Sequence, residues 1–183
     1  PELTLNNYKE ILTSGTTWYS LKNGLILSLG TAVLTVVLAG LIAYPLSRYE
    51  MRYKRIFMLG MLFMTSLPIT TVMVPVYKLF VMVKLYDNIA GVTLFMTAAN
   101  LPYAIWMMKN FMDSVPIALE EAAWIDGASK LKALTKVVIP LMFAGVSSVG
   151  IFVFSNCWGN FQAPFLLLIT SEKMPASVTL YRF

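Results

Sequence analysis

The residues best suited to chemistry lie in two polar stretches of a mostly apolar chain. The first, ALEEAAWIDGASKLKALTKVVIPL at residues 118–141, carries the carboxylates of Glu120, Glu121 and Asp126. Carboxylates accept strong hydrogen bonds from Arg and Lys, so this stretch predicts noncovalent binding of a basic partner surface. The second stretch carries three amide side chains and one aromatic side chain at a spacing of two residues: Asn156, Trp158, Asn160 and Gln162.

Amide groups hydrogen-bond hydroxyls, and aromatic faces pack against sugar rings, so the second stretch is a candidate substrate path for a polyhydroxylated molecule. Its spacing of two residues does not place all four side chains on one helical face. Asn100 and Tyr103, with Thr70 and Thr71, are lesser candidates, because such groups in a span also serve as contacts between helices.

Residue types that are absent restrict the chemistry further. The chain has no histidine and a single cysteine, Cys157, which excludes an internal disulfide and makes a zinc site improbable. A nucleophile paired with a base, or two carboxylates inside an apolar segment, would be needed for catalysis. The acidic residues instead lie in polar stretches, so we expect no enzyme activity and no metal or cofactor in this chain.

The composition predicts a membrane protein. Apolar residues make up 58% of the 183 residues, charged residues 13%, and mean hydropathy is +0.71. Soluble domains have about 45–50% apolar and about 25% charged residues. The net charge of +5 is then better explained by basic loops at the membrane surface than by nucleic-acid binding.

Four apolar segments are long enough to cross a bilayer as helices, which takes about 20 residues. They cover residues 25–46, 56–76, 89–108 and 137–157. Pro68 and Pro75 predict a kink in the second segment. The expected fold class is therefore an all-α, polytopic membrane bundle with four visible spans.

The basic residues between the segments predict the orientation. Residues 47–55 and 109–136 are rich in Lys and Arg, which favours the cytoplasmic side for both. Residues 1–23 and 158–183 are then outside. The apolar run at 163–169 is too short to span, and it predicts either a re-entrant half-helix beside a cavity or an interfacial segment anchored by Trp158.

Residues 109–136 form the sizeable polar insert between two spans and predict a helix, a turn and a second helix. Ser114 could cap the first helix with Pro116 in its first turn, and Gly127 after Asp126 is a stop signal. The second helix begins near Ser129 and continues into the last span. DNA binding is disfavoured, because the first helix is acidic and the second enters the membrane. The small residues Ala118, Ala122 and Ala123 instead favour a compact helix that docks on a cytoplasmic partner.

The spacing within this insert resembles the EAA loop of bacterial ABC importer permeases. Glu121-Ala122-Ala123 is followed by Gly127, and nine further residues lead to Val137 and the Ile139-Pro140 pair. The family pattern has Ile and Leu where this chain has Val137 and Ile139. The stretches LTLNNYKEIL, AYPLSRYEMRYKR, LPYAIWMMKNF and WGNF are similar to carbohydrate-importer permeases related to the smaller permease of the maltose transporter.

The resemblance implies a permease domain over residues 1–183, with 109–136 as the loop that couples it to an ATPase. It implies ATPase coupling by Glu120, Glu121, Ala122, Ala123, Asp126 and Gly127. The implied partners are a cytoplasmic ATPase dimer that binds ATP and Mg²⁺, a second permease, an extracytoplasmic solute-binding protein and the lipid bilayer of a bacterial or archaeal cell. The family usually has six spans, so we expect the first and last to be missing from this chain. The alternative is a secondary transporter without an ATPase, although the ionisable pairs that ion coupling needs are not evident in the spans.

Overall fold

The computed structural model describes residues 13–182, and regular structure in this part of the chain is helical. The helices are α1 Gly15–Arg48, α2 Lys54–Thr65, α3 Ile69–Met82, α4 Ile89–Asp113, α5 Ile117–Ile125, α6 Lys130–Leu141, α7 Phe143–Trp158, α8 Gln162–Leu167 and α9 Ala176–Thr179. Short 3₁₀ turns cover Ser171–Lys173 and Leu180–Arg182. The predicted all-α class is confirmed. The predictions for residues 1–12 and for Phe183 lie outside the described residues.

Each apolar segment of the sequence corresponds to helix. Within the described residues, α1 and α4 are each long and apolar enough to cross a membrane, and the number rises to four if α2 with α3 and α6 with α7 each form one broken span. α1 begins at Gly15 rather than at residue 25, and α4 continues to Asp113 rather than ending at residue 108. Many large apolar side chains are exposed, as expected where lipid is the solvent.

The break between α2 and α3 and the break between α6 and α7 have different local causes. The chain leaves α2 after Thr65 and re-enters helix at Ile69, and Pro68 in this break has no amide hydrogen to continue the ladder. This is the predicted proline kink, whereas Pro75 lies inside α3 without ending it.

The helix that begins after Ser129 does not continue straight into the last span, which corrects the prediction for that junction. α6 contains a π-helical turn at Leu134–Val138 and then bends by 81° into α7, with Met142 outside helical geometry at φ −101° and ψ 22°. Pro140 lies between the two irregularities, where it removes a backbone donor and crowds the preceding turn.

The helices pack as two compact units. One comprises residues 13–31, 69–96 and 155–182 of the described chain and has Leu27, Val92 and Leu167 in its core. The other comprises Ala32–Pro68 and Thr97–Phe154 and contains the 109–136 insert. Its core combines small residues of α1 with larger ones of α4, α6 and α7: Ala39, Ala43, Met108, Val138 and Val149.

The second unit depends on a close approach of α7 to α4. A Cβ atom added to Gly145 would lie 2.8 Å from Cβ of Phe111, too close for a normal contact. Gly60 of α2, by contrast, has no atom within 4 Å of an added Cβ. Of these two glycines, only Gly145 is required by the packing.

We predict that Gly145→Ala destabilises the protein by about 1–3 kcal/mol, because the added methyl group forces α7 away from Phe111. Gly60→Ala is the matched control and should leave the melting temperature unchanged or raise it, since alanine favours helix. Thermal unfolding of both variants in the same detergent checks this. Equal melting temperatures for the two variants would contradict the close contact between Gly145 and Phe111.

Candidate functional site

The 109–136 insert contains α5, a turn and the first turns of α6. α5 begins at Ile117 after Pro116, whose φ of −59° and ψ of 130° place it before the helix. The predicted cap at Ser114 is wrong, because Ser114 is two residues too early. Its hydroxyl instead donates to the carbonyl of Phe111 at 2.6 Å and closes the end of α4.

The chain reverses at Gly127. The amides of Asp126 and Gly127 donate to the carbonyls of Ala122 and Trp124 at 3.1 and 3.0 Å, and Gly127 has a φ of +84°. This left-handed conformation strains residues with a side chain. Ser129 then precedes α6, and its side chain accepts a hydrogen bond from the amide of Lys132 at 3.3 Å.

Glu120 of α5 is completely buried, and its two carboxylate oxygens bind two different residues of α1. Nε of Arg48 forms an ion pair with Oε1, and the hydroxyl of Tyr44 donates to Oε2 at 3.0 Å. The side chain of Arg48 is 5% exposed and that of Glu120 is 0% exposed. A charge withdrawn from water in this way requires a partner of opposite charge, which Arg48 supplies.

Two further bonds fix the same end of α1 to the chain around α5. Nη2 of Arg48 donates to the carbonyl of Val115 at 3.1 Å, and the hydroxyl of Ser47 donates to Oδ1 of Asp113 at 2.6 Å. Asp113 also pairs with Lys109 within α4. Ser47 and Arg48 follow Tyr44 by three and four residues, about one helical turn, and so lie on the same side of α1 as Tyr44. The last turn of α1 is therefore a binding surface for the insert.

The remaining acidic and small residues of the insert lie on its outer surface. Glu121, Ala122, Asp126 and Gly127 are exposed, and Ile125 is 86% exposed. Ala123 is half-buried. We call this set the outer face of α5. The structure thus brings five of the six predicted coupling residues together and places Glu120 apart from them, against α1.

The role of Arg48 and Tyr44 was missed from sequence, although a signal was present. Neighbouring positions of a helix point about 100° apart, so Glu120 and Glu121 could not both face the same partner. An arginine and a tyrosine one helical turn apart at the end of an apolar segment, in AYPLSR, are suited to hold one buried carboxylate.

The second predicted stretch, residues 156–162, lies in the other unit. Asn156 and Gln162 are exposed, whereas Trp158 packs against the backbone of α1, where a methyl group on Gly24 would lie 3.2 Å from its ring. Asn160 has a structural contact: its Oδ1 accepts a hydrogen bond from the amide of Ala163 at 3.1 Å at the start of α8. Most of the apolar run at 163–169 is helical, as α8, Gln162–Leu167, and both the re-entrant and the interfacial interpretation of this segment stay predictions.

An anchor in this unit was not predicted. Asp87, in the short turn between α3 and α4, accepts hydrogen bonds from the amides of Ile169 and Thr170 at 2.9 and 3.1 Å and from the Thr170 hydroxyl at 2.6 Å. Nζ of Lys173 completes the cluster at 2.8 Å. We call these four residues the Asp87 anchor. They hold the segment after α8 to the turn.

Burial acts to raise the pKa of Asp87, but the bonds from Lys173, Thr170 and the two amides outweigh it and hold the pKa well below its usual range. Because the folded-state pKa is depressed, the ionised anchor stabilises the protein above the unfolded pKa of about 3.9, and this contribution is lost as pH falls through the folded-state value.

We predict that Asp87→Asn lowers the melting temperature at pH 7, and that the difference from the wild type narrows as pH falls below about 4. Asparagine tolerates the positive φ of 56° at this position, so the substitution tests the charge rather than the backbone. Glu172→Gln, an exposed acid nearby, is the control and should show no such pH-dependent difference. A constant difference from pH 7 to pH 3 would contradict the role of the charge.

Comparison with known proteins covers nearly the whole chain. The family model described as "Binding-protein-dependent transport system inner membrane component" matches residues 16–177. The chain is 32% identical over 177 residues to the sulfoquinovosyl glycerol transport system permease protein SmoH of Agrobacterium fabrum, covering 97% of this chain and 61% of the relative. It is 30% identical over 181 residues to the trehalose transport system permease protein SugB of Mycobacterium tuberculosis, covering 99% and 66%.

The fold also matches a solved structure. A chain in the crystal structure of a bacterial ABC transporter involved in the import of the acidic polysaccharide alginate superposes with a TM-score of 0.88 at 26% identity, covering all of this chain and 64% of that one. The chain thus spans less than two thirds of the length of these three proteins.

Proposed function

The chain belongs to the binding-protein-dependent transport system inner membrane components, and from that premise we propose that it is the permease subunit of an ATP-driven importer of a sugar or oligosaccharide. It is a membrane transport subunit rather than an enzyme. The secondary-transporter alternative is set aside by this family membership.

We propose three protein partners for this subunit: a cytoplasmic ATPase dimer, a second permease and an extracytoplasmic solute-binding protein. The binding protein is named in the description of the family itself. ATP and Mg²⁺ bind the ATPase in this proposal, and this chain contributes no group to hydrolysis. The 109–136 insert faces the ATPase, and the segment after α7 faces the outside.

The observation that carries the proposal is the division of α5 into two faces. Glu120 is buried against α1, while Glu121, Asp126 and Ile125 point away from the rest of the unit. An exposed isoleucine flanked by carboxylates is costly to leave in water and suits a partner cleft with an apolar floor and basic rims. The small side chains of Ala122 and Ala123 allow such a cleft to approach the helix closely.

Motion would pass from the ATPase through this outer face to the spans. Gly127 sets the angle between α5 and α6, and α6 leads into α7 through the bend at Met142. Closure and opening of the ATPase dimer would move the insert as a rigid body and rock the spans around a central path, as expected for alternating access.

The sugar assignment is supported by the relatives and by the side chains of residues 156–162. SmoH and SugB are named for transport of sulfoquinovosyl glycerol and trehalose, respectively. A groove of about 320 Å³ in the second unit is lined by apolar residues such as Val36, Leu41 and Met108, which offer sugar hydroxyls no hydrogen bonds. We therefore propose that the path includes Asn156, Trp158, Asn160 and Gln162 and is completed by the second permease.

We predict that Gly127→Val weakens ATPase binding about tenfold, because a β-branched residue in the left-handed region costs about 1–2 kcal/mol and turns α5 away from its docking angle. Nothing lies within 4 Å of an added Cβ at this position, so the effect is conformational and not a clash. Titration of the purified ATPase onto the permease in lipid nanodiscs measures the change.

Gly127→Asn is the matched control, since asparagine adopts the left-handed conformation more readily than valine. It should retain most of the binding. Equal binding by both variants and the wild type, with unchanged melting temperatures, would contradict the docking role of the turn.

Uptake assays with proteoliposomes test the substrate path. We predict that Asn156→Ala reduces uptake of the transported sugar several-fold, because the exposed amide loses its bonds to hydroxyls. Trehalose and sulfoquinovosyl glycerol, for which two relatives are named, are the first labelled probes. Asn160 requires a different substitution, since alanine would also remove the bond that starts α8. Asn160→Asp keeps the acceptor for the Ala163 amide and replaces the amide donor with a second, negatively charged acceptor. Unchanged uptake in both variants would remove these residues from the path.

A further inference from the structure

We propose that the buried contact of Glu120 with Arg48 and Tyr44 makes the last turn of α1 move together with α5, so that the ATPase drives α1 directly and not only α6. Arg48 is then a positioning residue for coupling. The inference rests on the proposed function, because it takes α5 to be the element that the ATPase moves.

The contact restrains α5 in more than one direction. One carboxylate is held from both oxygens, by the Arg48 guanidinium on one side and by the Tyr44 hydroxyl at 3.0 Å on the other. Arg48 also holds the chain just before α5 through the Val115 carbonyl at 3.1 Å. Several bonds of different direction at one helix end oppose rotation as well as separation of α5.

Burial makes the contact difficult to open. With Arg48 at 5% and Glu120 at 0% exposure, water has little access to either charge while the pair is closed. Separating the pair would leave a charge without its partner in a dry environment, which is strongly unfavourable. When α5 is displaced, moving the end of α1 with it is therefore favoured over breaking the pair.

A second contact joins α1 to the start of α6. Nζ of Lys130 donates to the hydroxyl of Tyr49 at 2.7 Å and lies 5.0 Å from the centre of its ring, just beyond the end of α1. Both helices of the insert are thus attached to one helix end. α1 runs uninterrupted from Gly15 to Arg48, whereas the route through α6 includes a π-helical turn and an 81° bend.

The test is a distance measurement by pulsed electron paramagnetic resonance in the assembled importer. Spin labels are placed at Glu50→Cys, just after α1, and at Ile117→Cys, at the start of α5 and not part of its outer face. Both positions are exposed, and Cys157→Ala removes the native thiol. The distance is measured without nucleotide and after trapping with Mg-ATP and vanadate, so that no transported sugar is needed. We expect the two states to agree within about 2 Å, the size of ordinary helix shifts. A larger change would overturn the proposal, since α5 would then move without α1.

Variants identify the contact responsible. Arg48→Gln, and Tyr44→Phe as the milder change, should make the distance differ between the two states by more than about 2 Å while the ATPase still binds. Arg52→Gln, the same substitution at an exposed arginine of the following loop, should behave as the wild type. If both contact variants retain the unchanged distance, the contact does not transmit motion. Absence of ATPase binding by the unlabelled wild-type protein would instead refute the proposed function itself.

Discussion

A single buried carboxylate fixes the orientation of α5, the helix that faces the ATPase in the proposed importer. Glu120 lies in a helix of nine residues, has no exposed surface and carries a charge that burial would make unfavourable without a partner. Its pairing with Arg48 and Tyr44 decides which side of α5 faces inward. The exposed positions of Glu121, Ile125 and Asp126 follow from this pairing. Once Glu120 faces α1, the helical periodicity points these three residues away from α1.

The same principle recurs on a smaller scale in the other unit. Asp87 gathers two backbone amides, a hydroxyl and an ammonium group, and so ties the segment after α8 to the turn between α3 and α4. Both anchors use a carboxylate to hold a segment that is too short to bury much apolar surface.

The elements of the fold were largely predictable from the sequence because lipid imposes a simple rule. Runs such as residues 25–46 must be helical to satisfy their own backbone, and Gly127 and Ser129 mark local turns whose chemistry does not depend on distant residues. The bend at Met142 was not predicted, since Pro140 permits a kink without specifying its angle. The inward direction of Glu120 and the Asp87 anchor depend on partners at least seventy residues away in the chain, which local patterns do not reveal.

In the proposed importer, α5 docks on the ATPase through its outer face while Glu120 holds the opposite side of α5 against α1. Hydrogen–deuterium exchange of the permease in nanodiscs, with and without the bound ATPase, tests this most directly. We expect slower exchange at residues 117–128 when the ATPase is bound, and unchanged exchange at residues 167–173 around the Asp87 anchor. Exchange at residues 117–128 that is the same in both samples, despite stable binding of the ATPase, would contradict it.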